Sequence, residues 1–231
     1  MNFSLNRNKV EKLYGGEDIH YSPSIIREGE PLGVFWGYKE DGYTNDGSIK
    51  YVDRDEDHAR DIIKDGFVLG DPNPDFTYGL TTDLFWKGFE LNIFLQGVQG
   101  NDLYNMTAMT VQPKDISQNS WSKFNLNSKY PKLSTTTMTY YTSDRFVEDG
   151  SYLRCKNISL AYNLPLDRLG AFGHVFRSFR VYVSAQNLFT ITGYSGVDPE
   201  VNSFGTDINF GIDNMTYPNY RTFAFGANLK F

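Results

Sequence analysis

The chain has 231 residues, 22 basic against 28 acidic side chains, a net charge of -6 and one cysteine, Cys155. An acidic chain without clustered Lys and Arg does not fit general nucleic-acid binding, which needs bases to neutralise phosphates, and a single cysteine excludes an internal disulfide framework and thiolate-rich zinc sites. No stretch nears the roughly 18 apolar residues of a transmembrane helix, but a membrane β-barrel stays open, because its strands hide their hydrophobicity at every second position.

In chain order, MNFSLNRNKV lacks the long apolar segment and cleavage site of a signal peptide and is a weak strand candidate. The run 32–38 is another, and 56–64 is the best local helix candidate, short and highly charged. The first strong pattern is FTYGLTTDLFW (76–86), which sets Phe76, Tyr78, Leu80, Leu84 and Trp86 opposite Thr77, Gly79, Thr81 and Asp83. Lys87-Gly88 alone separates it from FELNIFLQGVQ (89–99), where Phe89, Leu91, Ile93 and Leu95 oppose Glu90, Asn92 and Gln96, with Phe94 as the misfit. Period two means strand, and a two-residue connection predicts a tight hairpin.

SYLRCKNISLAYNLP (151–165) changes parity partway: Leu153 and Cys155 share one face, whereas Ile158, Leu160, Tyr162 and Leu164 fall on the other count. A slip at Lys156-Asn157 reconciles them, so a β-bulge is predicted there. SFRVYVSAQNL (178–188) places Phe179, Val181, Val183 and Ala185 on one face, and RTFAFGANLKF (221–231) does the same with Phe223, Phe225, Ala227, Leu229 and Phe231. Between the strands lie polar stretches at 39–75, 100–150 and 189–219. Connections longer than about 12–15 residues are uncommon in compact domains.

Two all-β architectures compete. A soluble sandwich would bury the apolar faces between sheets; an outer-membrane barrel would turn them to lipid and the polar faces to a lumen. Strands of 10 to 12 residues match the roughly 9–11 needed to cross a bilayer tilted and exceed the usual five or six. Aromatics gather at strand ends, as in an interfacial girdle. Counting crossings back from Phe231 puts all three long polar loops on one side, with the 165–176 and 11–31 links and the 87–88 turn on the other. The barrel is the favoured reading.

The residues also carry a resemblance. GDPNPDFTYGL and GFELNIFLQGVQGNDLYN, with VFWGYKEDG, DGSYLRCKNISLAYNLP, FRVYVSAQNLFTITGYSGVDPEV and YPNYRTFAFGANLKF, resemble in order the C-terminal barrel portion of SusC/RagA-like TonB-dependent transporters. The resemblance covers nearly the whole chain. It implies that 1–231 is an all-β, partial antiparallel transmembrane barrel, about seven C-terminal strands of a 22-stranded plugged barrel with long external loops, the plug and TonB box being absent. It further implies the outer membrane of a Bacteroidetes-type bacterium and import of oligosaccharides or peptides. The implied partners are a SusD-like surface lipoprotein, TonB through the missing N-terminal part, and outer-membrane lipid.

On this reading Phe89, Leu91, Ile93, Leu95, Phe179, Val181, Val183, Phe223, Phe225, Leu229 and Phe231 face lipid. The ligand-contact candidates are loop aromatics that could stack on a substrate: Tyr104, Trp121, Tyr130, Tyr140, Tyr141, Tyr194, Phe204 and Tyr217. Family members often carry a calcium-like acidic loop where this chain has DRDEDHARD. Asp53, Asp55 and Asp57 keep the spacing of an EF-hand, but His58 stands at its glycine position and Lys64 at its bidentate Glu, so a solvated loop is expected instead of a metal site. Cys155 reads as a small outward-facing hydrophobe. No catalytic motif is present, no cofactor is implied, and no enzyme is expected. The alternative function is a structural or adhesin-like β-protein that binds through its loops without transport.

Overall fold

A computed structural model of the chain describes residues 1–111, 131–132, 140–166, 170, 176–206 and 208–231. From the N-terminus, β1 (Asn2–Ser4) precedes six short strands: β2 (Ile19–Tyr21), β3 (Ser24–Ile26), β4 (Phe35–Gly37), β5 (Glu40–Tyr43), β6 (Ile49–Tyr51) and β7 (Phe67–Gly70). The long β8 (Phe76–Trp86) and β9 (Phe89–Gln99) follow, then β10 (Asp102–Asn105), the short helix α1 (Met106–Val111) and β11 (Val147–Asp149). The remaining strands are β12 (Tyr152–Asn163), β13 (Ser178–Gln186), β14 (Thr190–Thr192), β15 (Ile212–Asp213) and β16 (Thr222–Lys230).

The alternating segments build one antiparallel wall in the order β1-β8-β9-β12-β13-β16, with β14 also on β12. β8 and β9 pair without a slip from Trp86↔Phe89 to Phe76↔Gln99. Their turn places Lys87 at φ 46° and Gly88 at φ 90°, the left-handed pair whose twist matches that of the flanking strands. β12 pairs with β9 through a register shift between Cys155 and Asn157, which is the predicted bulge. On its other side β12 meets β13 at Asn157↔Gln186 and β14 at Tyr152↔Thr192. Because β14 resumes the line of β13 beyond Asn187, the seven strands of this sheet stand in six files. β16 lies along β13 from Ser178↔Lys230 to Gln186↔Thr222.

The pairing Ser4↔Thr77 makes 5–75 a single excursion from the same end of the wall as 100–151 and 187–221. The expectation that 32–38 crosses the wall, with link 11–31 on the turn side, is therefore corrected. Phe35 and Trp36 are both buried, so this segment has no outward face, and β4 pairs with β3 and β7 in a separate four-stranded sheet. Nor are the excursions bare loops. Phe35, Tyr104, Tyr140, Phe146 and Ile212 form a core to which all three contribute, and β10 lies between β11 and β15. Helix is not adopted at 56–64. Asp55, Asp57 and Asp61 each accept the backbone N–H two residues on, from Asp57, Ala59 and Ile63, and these local turns compete with helical bonding.

Candidate functional site

The register aligns the alternations of neighbouring strands. One face of the wall carries Leu80, Leu84 and Trp86, then Phe89, Leu91, Ile93 and Leu95, then Ile158, Leu160 and Tyr162, then Phe179, Val181 and Val183, then Phe223, Phe225 and Leu229. Most of these are exposed, Phe225 to 90%; a sandwich would have buried them between sheets. Rings collect at both margins. Trp86 stacks on Phe89 with centroids 6.4 Å apart and Phe89 lies 4.5 Å from Tyr162 at the turn end, while Phe76 packs with Phe3 at 5.1 Å and Tyr78 at 6.0 Å at the excursion end. Phe231 follows β16 and packs on Phe176 at 5.1 Å. Cys155 is in register with Leu95 but is 1% exposed, so the expected outward-facing residue is covered at the bulge.

The opposite face is polar and cross-linked. Glu90 accepts from Asn163 at 2.6 Å and from Arg180 at 3.0 Å. Asn92 donates to Asp83 at 2.7 Å and accepts from Asn157 at 3.1 Å. The polar positions of β8, β9, β12 and β13 thus satisfy one another in a half-exposed network. This is how a strand face without a hydrophobic partner disposes of its donors and acceptors.

Above that face, a buried charge cluster ties 187–221 to the wall. Arg154 is 2% exposed, donates to Asp198 at 2.5 Å and to Thr190 Oγ1 at 2.8 Å, and also bonds Glu200. Glu200 further accepts from Lys156 at 2.7 Å and from the Tyr152 hydroxyl at 2.8 Å. Burial disfavours the ionised Asp198, but Arg154 and the N–H groups of Glu200 and Asn219 outweigh it and hold the carboxyl below the usual range. A bidentate pair, Arg145 to Glu40 at 2.7 and 2.6 Å, joins the first two excursions.

The predicted ligand aromatics divide. Tyr104, Tyr140 and Tyr194 are buried and are corrected to core residues. Tyr104 and Tyr140 belong to the shared core, and burial pushes the Tyr104 hydroxyl up to about 12. Tyr194 packs with Leu103 and Val201 and donates to Asp213 at 2.7 Å. Their aromatic mass was readable, but its inward direction depends on chain segments far away in sequence. Phe204 and Tyr217 are exposed, and Tyr141 lines a cleft with Trp36 and Tyr38. Trp121 and Tyr130 lie outside the described residues. The signal missed in the sequence was the DPE of 198–200, whose carboxylates are the partners of Arg154.

The acidic loop brings Asp53, Asp55 and Asp57 within 4.8 Å of one another. His58 takes φ 60°, the conformation the EF-hand glycine supplies. The Lys64 ammonium, however, stands 3.1 Å from Asp55 and 2.9 Å from Asp57. Hydrogen bonding and Coulomb attraction from these two carboxylates raise its pKa. A cation is thus already built into the position.

No family model matches the chain. It is 36% identical, over its full length, to TonB-dependent receptor P3 of Formosa agariphila, spanning 26% of that protein. To TonB-dependent receptor SusC of Bacteroides thetaiotaomicron it is 29% identical over its full length, spanning 24%. The chain therefore covers about a quarter of these relatives. Its fold superposes on the RagAB peptide importer in the open-open state with a TM-score of 0.79, at 24% identity, over 99% of this chain and 26% of that one.

Proposed function

We propose that this chain, a member of the SusC/RagA-like TonB-dependent receptors, forms the C-terminal wall of an outer-membrane importer barrel. In this reading the apolar face built on Phe89, Leu91, Ile93, Leu95, Phe179, Val181, Val183, Phe223, Phe225, Leu229 and Phe231 meets lipid. The Glu90–Arg180 face lines a hydrated lumen and the three excursions stand outside the cell. The observation that carries the reading is the continuous apolar face, with every long excursion at one end of it. Strand length supports it: 11 residues of β9 at about 3.4 Å each, tilted about 40°, span about 28 Å, close to the apolar band of roughly 25 Å that outer-membrane barrels present.

Oligosaccharide or peptide is the proposed cargo, since relatives or neighbours include a SusC receptor and a peptide importer. A SusD-like lipoprotein over the excursions, and TonB acting on a part of the receptor outside this chain, complete the proposed machine. Spin labels at 91 and 92 in the full-length receptor in bilayers provide the test. The label at 91 should be quenched by oxygen dissolved in lipid and the label at 92 by a water-soluble nickel chelate. Equal water accessibility at both positions would overturn the orientation.

A further inference from the structure

The apolar face of the wall is not level. On it β13 offers only Val181, Val183 and Ala185 above Phe179, and the register sets larger side chains on either side. Tyr162, Leu160 and Ile158 of β12 stand opposite these three in turn, and Phe225 and Phe223 of β16 stand opposite Val183 and Ala185. Strand side chains project roughly at right angles to their sheet and neighbouring strands lie about 4.8 Å apart, so a file of short residues between files of long ones becomes a furrow. Phe225 is 90% exposed against 50% for Val183, as a ring standing above its neighbour requires. A recess of about 290 Å³ lies on the β12 side of this furrow, its lining including Phe89, Leu160, Tyr162, Val181 and Val183.

The recess opens toward the turn end of the wall, and two cations stand there. Lys87 is exposed, and its ammonium lies 5.0 Å from the ring centroid of Trp86, a member of the apolar face. Arg177 is exposed and continues the β13 ladder, its backbone N–H donating to Lys230 O at 2.7 Å, which keeps it on the same count of the alternation as Phe179 and Val181. Two strand files, about 10 Å, and two residues, about 7 Å, separate the pair. Neither cation has an ion-pair partner among the described residues. The neighbouring Arg180 is engaged by Glu90 on the polar face, and Lys230 falls on the polar count of β16.

The occupant follows from shape and charge together. A second copy of the wall laid on this face would rest on the rings of Phe89, Phe223 and Phe225 and leave the furrow empty, forfeiting contact along it. A hydrocarbon chain is slender and flexible enough to follow a furrow one file wide. Such a chain alone leaves Lys87 and Arg177 unused, and a free phosphate leaves the furrow unused. A choline headgroup brings a cation of its own to the pair. A negatively charged headgroup on a hydrocarbon chain satisfies both parts, since arginine pairs with phosphate oxygens two at a time and cations at a bilayer surface attract anionic lipid. We propose that the furrow and the Lys87–Arg177 pair form a binding site for one anionic phospholipid, with an acyl chain along β13 and the phosphate at the two cations. The proposal rests on the transporter reading, which turns this face to lipid.

The test is native mass spectrometry of the full-length receptor in detergent, offered phosphatidylglycerol and phosphatidylcholine with the same acyl chains at equal concentration. The receptor should retain phosphatidylglycerol in preference to phosphatidylcholine. Lys87→Gln and Arg177→Gln should each reduce that preference about fivefold, and the double variant about 30-fold, the effect expected of one and two cations at a membrane surface. Val183→Phe levels the furrow without touching a charge and should lower retention of phosphatidylglycerol at least tenfold. All three positions are exposed, so the heat-modifiable folded band should be the same in every variant. Equal retention of the two lipids by the parent receptor, an unchanged preference in the double variant, or retention indifferent to Val183→Phe would each overturn the proposal. So would a receptor dimer that Val183→Phe dissociates, which would assign the face to a second copy. Failure of the transporter reading shows separately, as equal water accessibility at 91 and 92, whereas loss of lipid preference with label 91 still in lipid refutes this site alone.

Discussion

Arg154 shows how much one side chain decides. Its partners Asp198 and Glu200 come from an excursion that leaves the wall only after the next strand, and Asp198 is 4% exposed. Removing one member of such a pair leaves a buried charge uncompensated, so Arg154→Ala should destabilise the receptor by about 3–5 kcal/mol, seen in urea unfolding with new proteolytic cuts inside 187–221. The same pair has a pH signature. A carboxylate with a depressed pKa stabilises the fold in full above its unfolded value of about 3.9 and loses that contribution as pH falls through the lower folded value. Protease sensitivity of 187–221 should accordingly rise on acidification below roughly pH 4 and stay flat from about pH 5 to 8. Lys64 closes the acidic loop in a comparable way. Because its ammonium already bridges Asp55 and Asp57, calorimetric titration of the receptor with calcium should show no micromolar site that disappears when Asp53, Asp55 and Asp57 are changed to Asn.

Among the elements, the ladders are finished by side chains lying across glycines. Tyr78 sits directly opposite Gly97, and Tyr182 opposite Gly226. A Cβ at either glycine would overlap the facing ring, so each ring covers backbone that would otherwise be bare, an aromatic rescue across the ladder. Gly97→Val should cost about 1–3 kcal/mol through overpacking, measured as a lower urea midpoint for loss of the heat-modifiable folded band in electrophoresis. The strands themselves were legible because period two, the two-residue turn and the parity break at Lys156 are local signals. The run 32–38 misleads for the same reason. Phe35 and Trp36 offer β-forming residues without alternation, and only the neighbouring β3 and β7 decide that both side chains are buried.

At the scale of the molecule, the wall and the excursion layer depend on different things. The wall is held by long ladders, whereas the layer is held by a core assembled from three distant segments. Phe146→Ala, at a site fully buried in that core, should cost about 3–5 kcal/mol. Hydrogen exchange should then quicken in β4, β10 and β15 together while the β8–β9 ladder keeps its protection. Coupled loss across the three excursions identifies them as one folded body, and loss confined to β10 and β11 would show them to be independent. The wall has its own dependence, since β1 and β16 are its outer strands and bare strand edges are costly in hydrocarbon and adhesive in water. In the transporter reading, further strands of the receptor cover those edges.

The long strands, their hairpin, the bulge and the apolar face are legible in the linear pattern, because alternation and turn chemistry act over a few residues and survive in any context. Tertiary structure alone decided which aromatics turn inward, as Tyr104 and Tyr194 do, and which stay at a cleft, as Tyr141 does. It also decided that Arg154 meets Asp198. Each of these depends on contacts between segments tens of residues apart, and the physical quantity that settles them is burial by a distant neighbour, for which a linear pattern carries no period.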